Sequence, residues 1–446
     1  MMLFSLCRAA QAVDGELKNA DGRELARSVT IDSRKAAPGY IYVAIKGERF
    51  DGHDFIPQSY ENGALCVISD RTIDTDKPYI IVKDTLCALR DLAEFYRGLF
   101  DIPFVAVTGS VGKTTTKELI AGVLGVHFNV HKTQGNFNNQ TGVPQTIFGL
   151  NELHTAAVVE MGTNHFGEIA ALAKIVRPDI CVFTNIGEAH IEYLGSRQGI
   201  LKAKSEMIEF MRPDGIIIAN GDDDMLITLK NKYDCVRTFG FGDNNDYRAK
   251  DIISHGLLGT EFTAVYPKGE LKLAIHVPGR HMVYNALCAL AVGDALGMNA
   301  LELMRGINGY VSTSGRMDIR EQGDYTVIAD AYNASPTAMR SAIDVLKLAE
   351  GRKVAILGDM FELGENEAEL HRQTGEYAKN AGIDLVICVG GLSKDTFEGA
   401  KGTDREYFET VDGLISALPR LLKKGDSVLV KASHSMHLDR VIEAIK

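Results

Sequence analysis

The sequence predicts an α/β architecture in three domains, with parallel sheets wrapped by helices, and three observations carry that prediction. The chain has 446 residues, too many for one typical domain and enough for about three. From Phe104 onward, short apolar runs of strand length alternate with helix-period segments, the pattern of a parallel sheet with crossover helices. At Val105-Ala-Val-Thr108-Gly109-Ser110-Val111-Gly112-Lys113-Thr114-Thr115, an apolar strand breaks into a glycine loop at a helix start.

Taken in order, residues up to about 97 give apolar runs at Tyr40–Ile45, Ala64–Ile68 and Tyr79–Val82, separated by polar turns, then a helix-period stretch from Leu86 to Phe100 that meets Pro103. Buried-strand runs follow at Phe104–Val107, Ala156–Val159, Asp179–Phe183 and Gly215–Ala219, with helices near 114–124, 167–176 and 198–211 between them. A more β-like interval, Val236 to Val277, leads to a helix starting near His281. From about residue 312 a second alternating series begins, with strands at Thr326–Ala329, Lys353–Leu357, Asp384–Val389 and Ser427–Val430. No low-complexity linker marks the joints, which are placed near 100 and 311, dividing the chain into 1–100, 101–311 and 312–446. In such sheets ligands sit at the carboxyl ends of strands, where the polar motifs fall.

An apolar content of 45% fills substantial cores. With 48 basic against 59 acidic residues and no cluster of Lys and Arg interleaved with aromatics, the charge balance argues against a broad nucleic-acid surface, so any anionic ligand is expected to be met locally. Seven cysteines are scattered without a CxxC pair, which points to reduced, mostly buried thiols in a cytoplasm. The apolar start, Met1 to Cys7, has no basic lead-in and is too short for a signal peptide, and no stretch reaches membrane-spanning length. The expectation is a cytoplasmic protein that uses no membrane, with a monomer as the default.

The glycine loop fixes a ligand class. Gly109, Ser110, Val111 and Gly112 can turn backbone N–H groups around phosphate oxygens, and the Lys113 ammonium meets the terminal phosphates. The Thr114 hydroxyl can hold Mg²⁺, and Thr115 continues the positive end of the helix. The usual P-loop would begin with glycine at position 107, where Val107 stands, so this is a shorter Gly-x-x-Gly-Lys-Thr form.

Other polar positions admit two readings each. Glu160, directly after a strand, is either a ligand of the metal held by Thr114 or a solvated acid at a strand end. His190, just past the next strand, is a ligand or a structural histidine, and Lys204 reads by itself as part of a solvated helix face. The amides of Gly135-Asn136-Phe-Asn138-Asn139-Gln-Thr141-Gly142 suit phosphate or sugar hydroxyls, and equally a capped turn. Asp330-Ala-Tyr-Asn333-Ala-Ser335 and Lys431-Ala-Ser433 each follow a strand and open a helix, where ligand contact and helix capping use the same residues.

Together these segments resemble the Mur ligases of bacterial cell-wall synthesis over essentially the whole chain. Besides those quoted, the resemblance rests on Ile31-Asp32-Ser33-Arg34, Ala44-Ile-Lys46-Gly47 with Asp51-Gly-His53, Asn185-Ile-Gly-Glu-Ala-His190 and Lys202-Ala-Lys204-Ser-Glu206. It rests also on Pro278-Gly-Arg-His281 with Asn285, Gly315-Arg316, and Leu357-Gly-Asp-Met-Phe-Glu-Leu-Gly364. The resemblance implies an N-terminal domain that binds a UDP-linked substrate, a central P-loop ATPase domain and a Rossmann-like C-terminal domain. It departs from the family pattern mildly at Lys431-Ala-Ser433, where the family usually has Lys-Gly-Ser, and at Leu438-Asp439, where it has Met-Glu.

Roles implied by the resemblance are residue-specific. Lys113, Thr114 and Thr115 bind the ATP phosphates; Thr114 and Glu160 hold a first Mg²⁺; His190 serves a second; Lys204 is the position carried as a carbamate, an anion where an ammonium would repel the metal. Asn285 meets adenine, Arg316 the γ-phosphate and Asp330 the ribose. Asp32, Ser33, Arg34 and Lys46 lie at the UDP end, Asn138 and Asn139 toward the sugar, Asn136 and Thr141 also on the UDP-linked substrate, and Asn333, Lys431 and Ser433 on the acceptor or closure side. The Leu357–Gly364 motif is similar to the family members that join D-alanyl-D-alanine to UDP-N-acetylmuramoyl-tripeptide through an acyl phosphate, and the Asp-Asn-Pro-Arg run of the diaminopimelate-adding members is absent. Two alternatives stay open on sequence: a related ligase with another acceptor, such as a tripeptide-forming or folylpolyglutamate-type enzyme, and a non-catalytic nucleotide switch.

Overall fold

In a computed structural model the chain is described at residues 3–47, 50–188, 191–312 and 317–446, and it falls into two compact units. The first comprises Met1–Thr108, Phe128–Cys181 and Lys204–Gly215; the second comprises Gly109–His127, Val182–Ala203 and Ile216–Lys446.

In the first unit the apolar runs at the chain start become a five-stranded sheet in the order Glu16–Lys18, Tyr79–Ile81, Cys66–Ser69, Tyr40–Val43, Ser28–Thr30. Only the first pair is antiparallel. The helix Thr85–Arg97 starts where the Asp84 carboxylate accepts the Cys87 N–H at 2.6 Å, and it buries Ala88, Leu89, Leu92, Ala93 and Tyr96 on one face. Next come three parallel strands, with Ala156–Glu160 between Phe104–Thr108 and Val130–Lys132. Phe104–Thr108 and Ala156–Glu160 are buried at every position, which is why they read as unbroken apolar runs.

One charged side chain ties this unit together. Arg97, buried at the last turn of its helix, donates to Val176 O at 2.7 Å, Phe100 O at 2.9 Å and Arg177 O at 3.3 Å. Its guanidinium lies 3.7 Å from the Phe104 ring centroid. Burial pushes its pKa down to about 10, which leaves it protonated at neutral pH.

In the second unit the helix Lys113–Leu124 packs beside Arg280–Ala295, whose buried residues run almost continuously from Met282 to Asp294. A helix apolar on all sides is a core helix, and this one sits against the strands Ile216–Asn220, Val236–Gly240 and Tyr247–Ser254, which are parallel. The β-like interval then turns antiparallel: Thr260–Tyr266 pairs with both Tyr247–Ser254 and Gly269–Ile275. Connections this short cannot hold a crossover helix, so the strands reverse.

The C-terminal part of the second unit is a six-stranded sheet ordered Asp318–Gln322, Tyr325–Ala329, Ser427–Lys431, Lys353–Gly358, Leu385–Val389, Asp404–Phe408, antiparallel only at its first pair. The four expected strands are its interior. Both edge strands were invisible to the apolar pattern because Asp-Ile-Arg-Glu-Gln and Asp-Arg-Glu-Tyr-Phe are partly solvated and polar. Ser335 does cap the helix Pro336–Lys347, accepting the Ala338 N–H at 3.4 Å.

All seven cysteines are free; Cys66, Cys181, Cys288 and Cys388 are buried, Cys235 is half-buried, and Cys7 and Cys87 are exposed. Among the described residues no helix is long and apolar enough to cross a membrane. Arg97→Met keeps the stem and removes three hydrogen bonds to buried carbonyls, so it should lower stability by about 2 to 4 kcal/mol, read as a lower thermal midpoint. An unchanged midpoint would contradict the role given to Arg97.

Candidate functional site

In the second unit the loop after Thr108 is shaped by its two glycines, for different reasons. At Gly109 a Cβ would stand 1.9 Å from Thr184 Oγ1, so only glycine permits the close approach of the neighbouring strand end. Gly112 has φ +83°, and a Cβ there would meet only Asn285 Oδ1 and Thr116 Oγ1, at 4.0 Å each; glycine here supplies the left-handed turn that starts the helix Lys113–Leu124. The first ladder bond runs from Thr116 N–H to Gly112 O at 2.9 Å, so the amides of Lys113, Thr114 and Thr115 lie ahead of the ladder, at the positive helix end. Lys113 Nζ folds back on its own loop, donating to Gly109 O at 2.9 Å and Ser110 O at 3.3 Å. This arrangement can receive phosphate oxygens.

Further along the same helix, Thr116 Oγ1 donates to Asn285 Oδ1 at 3.0 Å, and Asn285 Nδ2 lies 3.6 Å from Met282 Sδ. Asn285, which the resemblance assigns to adenine, is thus fixed to the helix that carries Lys113. The segment after Phe183 reaches the loop as well. Ser110 N–H donates to Asn185 O at 3.0 Å, Val111 N–H to Asn185 Oδ1 at 2.9 Å, and Asn185 Nδ2 to Val111 O at 2.9 Å. Thr184 Oγ1 adds a 2.7 Å bond to Val111 O, and Gly187 N–H a 2.9 Å bond to Ser110 Oγ. Asn185 was not singled out as a site residue from sequence. The available signal was its place just past a buried strand. His190 and Arg316 lie outside the described residues.

At the strand ends of the C-terminal sheet, Lys431 is buried, and its ammonium makes three bonds: Asp330 Oδ2 at 2.6 Å, Asn333 O at 2.8 Å and Asp330 O at 3.3 Å. Asp330 Oδ1 accepts the Met317 N–H at 3.3 Å. The structure therefore brings Asp330, Asn333 and Lys431 together. His281, on the first turn of Arg280–Ala295, has its pKa lowered by burial, with Asp330 and Lys431 acting on it in opposite directions. Ser433 makes no helix cap, contrary to the capping alternative: its Oγ accepts the Phe361 N–H at 3.2 Å, and its N–H donates to Asp359 O at 3.0 Å.

In the first unit, Glu160 is 1% exposed, and its N–H donates to Thr133 Oγ1 at 2.9 Å. Its Oε1 accepts Asn138 Nδ2 at 2.8 Å, whereas Oε2 is buried with no hydrogen-bond partner. The solvated reading of Glu160 is therefore wrong. A buried carboxylate with one orphaned oxygen suits a cation, although no cluster of three or more His, Cys, Asp or Glu residues is found among the described residues. Lys204 is 1% exposed, which overturns the surface reading its sequence context gives.

Asn138 is thus turned to Glu160. Asn139 Oδ1 gathers the turn by accepting Gly142 N–H at 2.8 Å and Thr141 Oγ1 at 3.2 Å, while Asn136 is exposed. Asp32 caps the turn Ser33–Lys35, and the Arg34 guanidinium clasps its two oxygens at 2.9 Å each, holding the carboxyl below its ordinary range. Ser33 Oγ donates to Gln58 Oε1 at 2.7 Å, and the exposed Lys46 forms an isolated bridge with Asp51.

Comparison with known proteins matches three family models in order along the chain: a Mur ligase family catalytic domain at residues 26–97, a Mur ligase middle domain at 107–293 and a Mur ligase glutamate ligase domain at 315–434. The UDP-N-acetylmuramoyl-tripeptide--D-alanyl-D-alanine ligase of Bacillus subtilis (strain 168) is 39% identical over 448 aligned residues, covering 97% of this chain and 96% of that protein. A crystal structure of MurF from Acinetobacter baumannii superposes with a TM-score of 0.94 at 32% identity, covering 100% of this chain and 99% of that one. MurF ligase from Thermotoga maritima in complex with ADP gives a TM-score of 0.85 at 32% identity over 94% of this chain and 97% of that one.

Lys431→Met leaves the half-buried Asp330 carboxylate without its cation, and should cost about 3 kcal/mol of stability by calorimetry. Adding Asp330→Asn to it should recover most of that loss, because the uncompensated charge is gone. Additive losses in the double variant would show that the two groups do not act as a pair.

Proposed function

The chain belongs to the Mur ligase family, and we infer that it is the ATP-dependent ligase that adds D-alanyl-D-alanine to UDP-N-acetylmuramoyl-tripeptide, giving the pentapeptide precursor of peptidoglycan. Full-length relatives that carry this name at 31 to 39% identity are the observation that bears the conclusion. It is a three-domain α/β enzyme that binds ATP. We place the domain joints near 100 and 311, in keeping with the intervals between the matched models.

The chemistry follows from the substrates. A carboxylate does not react with an amine, so an oxygen of the tripeptide's terminal carboxylate attacks the γ-phosphorus of ATP, and the bond to ADP breaks. The D-alanyl-D-alanine amine then attacks the acyl-phosphate carbon, loses its proton, and phosphate departs with the electron pair. No side-chain nucleophile is required, and the protein's part is positioning and electrostatics. Lys113 and the amides at the helix start grip the phosphates, releasing the bonds that Lys113 makes to its own loop. Asn285 faces adenine, Arg316 the γ-phosphate and Asp330 the ribose. Asp32, Ser33, Arg34 and Lys46 hold the UDP end, with Asn138 and Asn139 toward the sugar and Asn136 and Thr141 also on the UDP-linked substrate, and Asn333, Lys431 and Ser433 serve the acceptor or closure side.

We assign Thr114, Glu160, His190 and Lys204, the last as a carbamate, to two Mg²⁺ ions. The orphaned Glu160 Oε2 and the burial of Lys204 support this assignment. When bound, the metal would neutralise phosphate charge and orient the substrate carboxylate beside the γ-phosphate. A cytoplasmic monomer is the accompanying reading.

Mass spectrometry of a reaction with UDP-N-acetylmuramoyl-tripeptide, D-alanyl-D-alanine and Mg-ATP should give the pentapeptide product; product formed only with single amino acids would identify a different acceptor. Lys113→Ala and Glu160→Ala should each reduce turnover at least about 1000-fold, whereas wild-type turnover in either would refute its role. Lys204→Ala should be inactive and partly rescued by short-chain carboxylic acids; full activity without additive would remove the carbamate.

A further inference from the structure

The shortened glycine loop poses a question of shape. A loop that presents backbone amides to phosphate has few side chains of its own to hold it, and the amides it does not use need partners elsewhere. Here those partners come from one residue. The side-chain amide of Asn185 meets both backbone polar groups of Val111, Oδ1 accepting the N–H at 2.9 Å and Nδ2 donating to the carbonyl at 2.9 Å. The pair copies one rung of a sheet ladder with a side chain in place of a strand. The backbone of Asn185 takes the Ser110 N–H at 3.0 Å, so two successive loop amides are held by a single residue.

Asn185 is itself braced. Thr184 Oγ1 shares the Val111 carbonyl at 2.7 Å, and Gly187 N–H closes on Ser110 Oγ at 2.9 Å. On the far side Ile186 N–H donates to Asp223 Oδ2 at 2.8 Å, and Arg197 Nε donates to Ile186 O at 3.0 Å while its guanidinium also engages Asp224. The absence of any side chain at Gly109 is what lets Thr184 and Asn185 come this close.

We propose that Asn185 is a positioning residue for the nucleotide: it commits the Ser110 and Val111 amides to the scaffold, so that the phosphates are gripped by the amides from Gly112 to Thr115 and by Lys113. The ATP contacts assigned to Ser110 and Val111 thereby become support for the grip and not part of it. This proposal rests on the reading that the loop holds nucleotide.

The test is ADP binding by calorimetry, well below the thermal midpoint of each variant. Wild-type protein should bind ADP and Lys113→Ala should bind it weakly; failure of the wild type to bind would sink the nucleotide reading and this proposal together. Given wild-type binding, Asn185→Ala should weaken ADP affinity roughly 10-fold, from the loss of two hydrogen bonds that shape the site. The KM for the UDP-linked substrate at saturating ATP should stay within about twofold of wild type, because that end of the site is not held by Asn185. Thr184→Val removes a single bond to the same carbonyl with little change of volume and should weaken ADP affinity about threefold, which keeps the proposal testable should Asn185→Ala fail to fold. A lowered thermal midpoint with unchanged ADP affinity in either variant, or an equal loss for both substrates, would reduce Asn185 to a structural residue and overturn the proposal.

Discussion

A polypeptide that offers peptide N–H groups to a ligand must satisfy its remaining backbone polar groups without help from that ligand, and much of this molecule's design answers to that constraint. The loop from Gly109 to Gly112 gives up side chains to gain curvature and closeness. What it loses in self-support is returned by Thr184, Asn185 and Gly187, and those are steadied by Asp223 and Arg197. Two helices carry the arrangement outward, since Thr116 and Asn285 join the helix after the loop to the core helix Arg280–Ala295.

The C-terminal sheet repeats the logic with charge. The Lys431 ammonium is spent on an acid and two carbonyls of the segment 330–333, so a buried cation fixes the turn that follows the strand Tyr325–Ala329. The same carboxylate reaches Met317, close to where this sheet begins in the chain. A buried cation paired in this way contributes less to net stability than to the uniqueness of one geometry.

How much of this was legible in the sequence depended on burial. Strands enclosed on both faces, such as Phe104–Thr108 and Leu385–Val389, announced themselves as apolar runs; edge strands such as Asp404–Phe408, half in water, did not. The turn before the helix Lys113–Leu124 was legible because its glycines meet local demands, closeness to Thr184 at Gly109 and a left-handed backbone at Gly112. Lys204 and Glu160 were ambiguous because exposure is a property of the whole fold, and a Lys-x-Lys-x-Glu helix face looks solvated until its neighbours are known. Asn185 was hardest to see: its partners lie 74 positions away at Val111, a pairing that no local pattern encodes.

The enclosed thiols give the molecule a set of internal reporters. Cys66 lies in the N-terminal sheet, Cys181 on the strand Ile180–Phe183, Cys288 in the core helix and Cys388 in the C-terminal sheet, all shielded from water. Burial raises the Cys66 pKa to about 12 and raises those of Cys288 and Cys388 as well, so these three are poor nucleophiles while folded. Each could react with an alkylating reagent only when its own surroundings breathe open. The rate at which each sulfur is trapped would then clock the local opening of its region, with no foreign label added to the native chain.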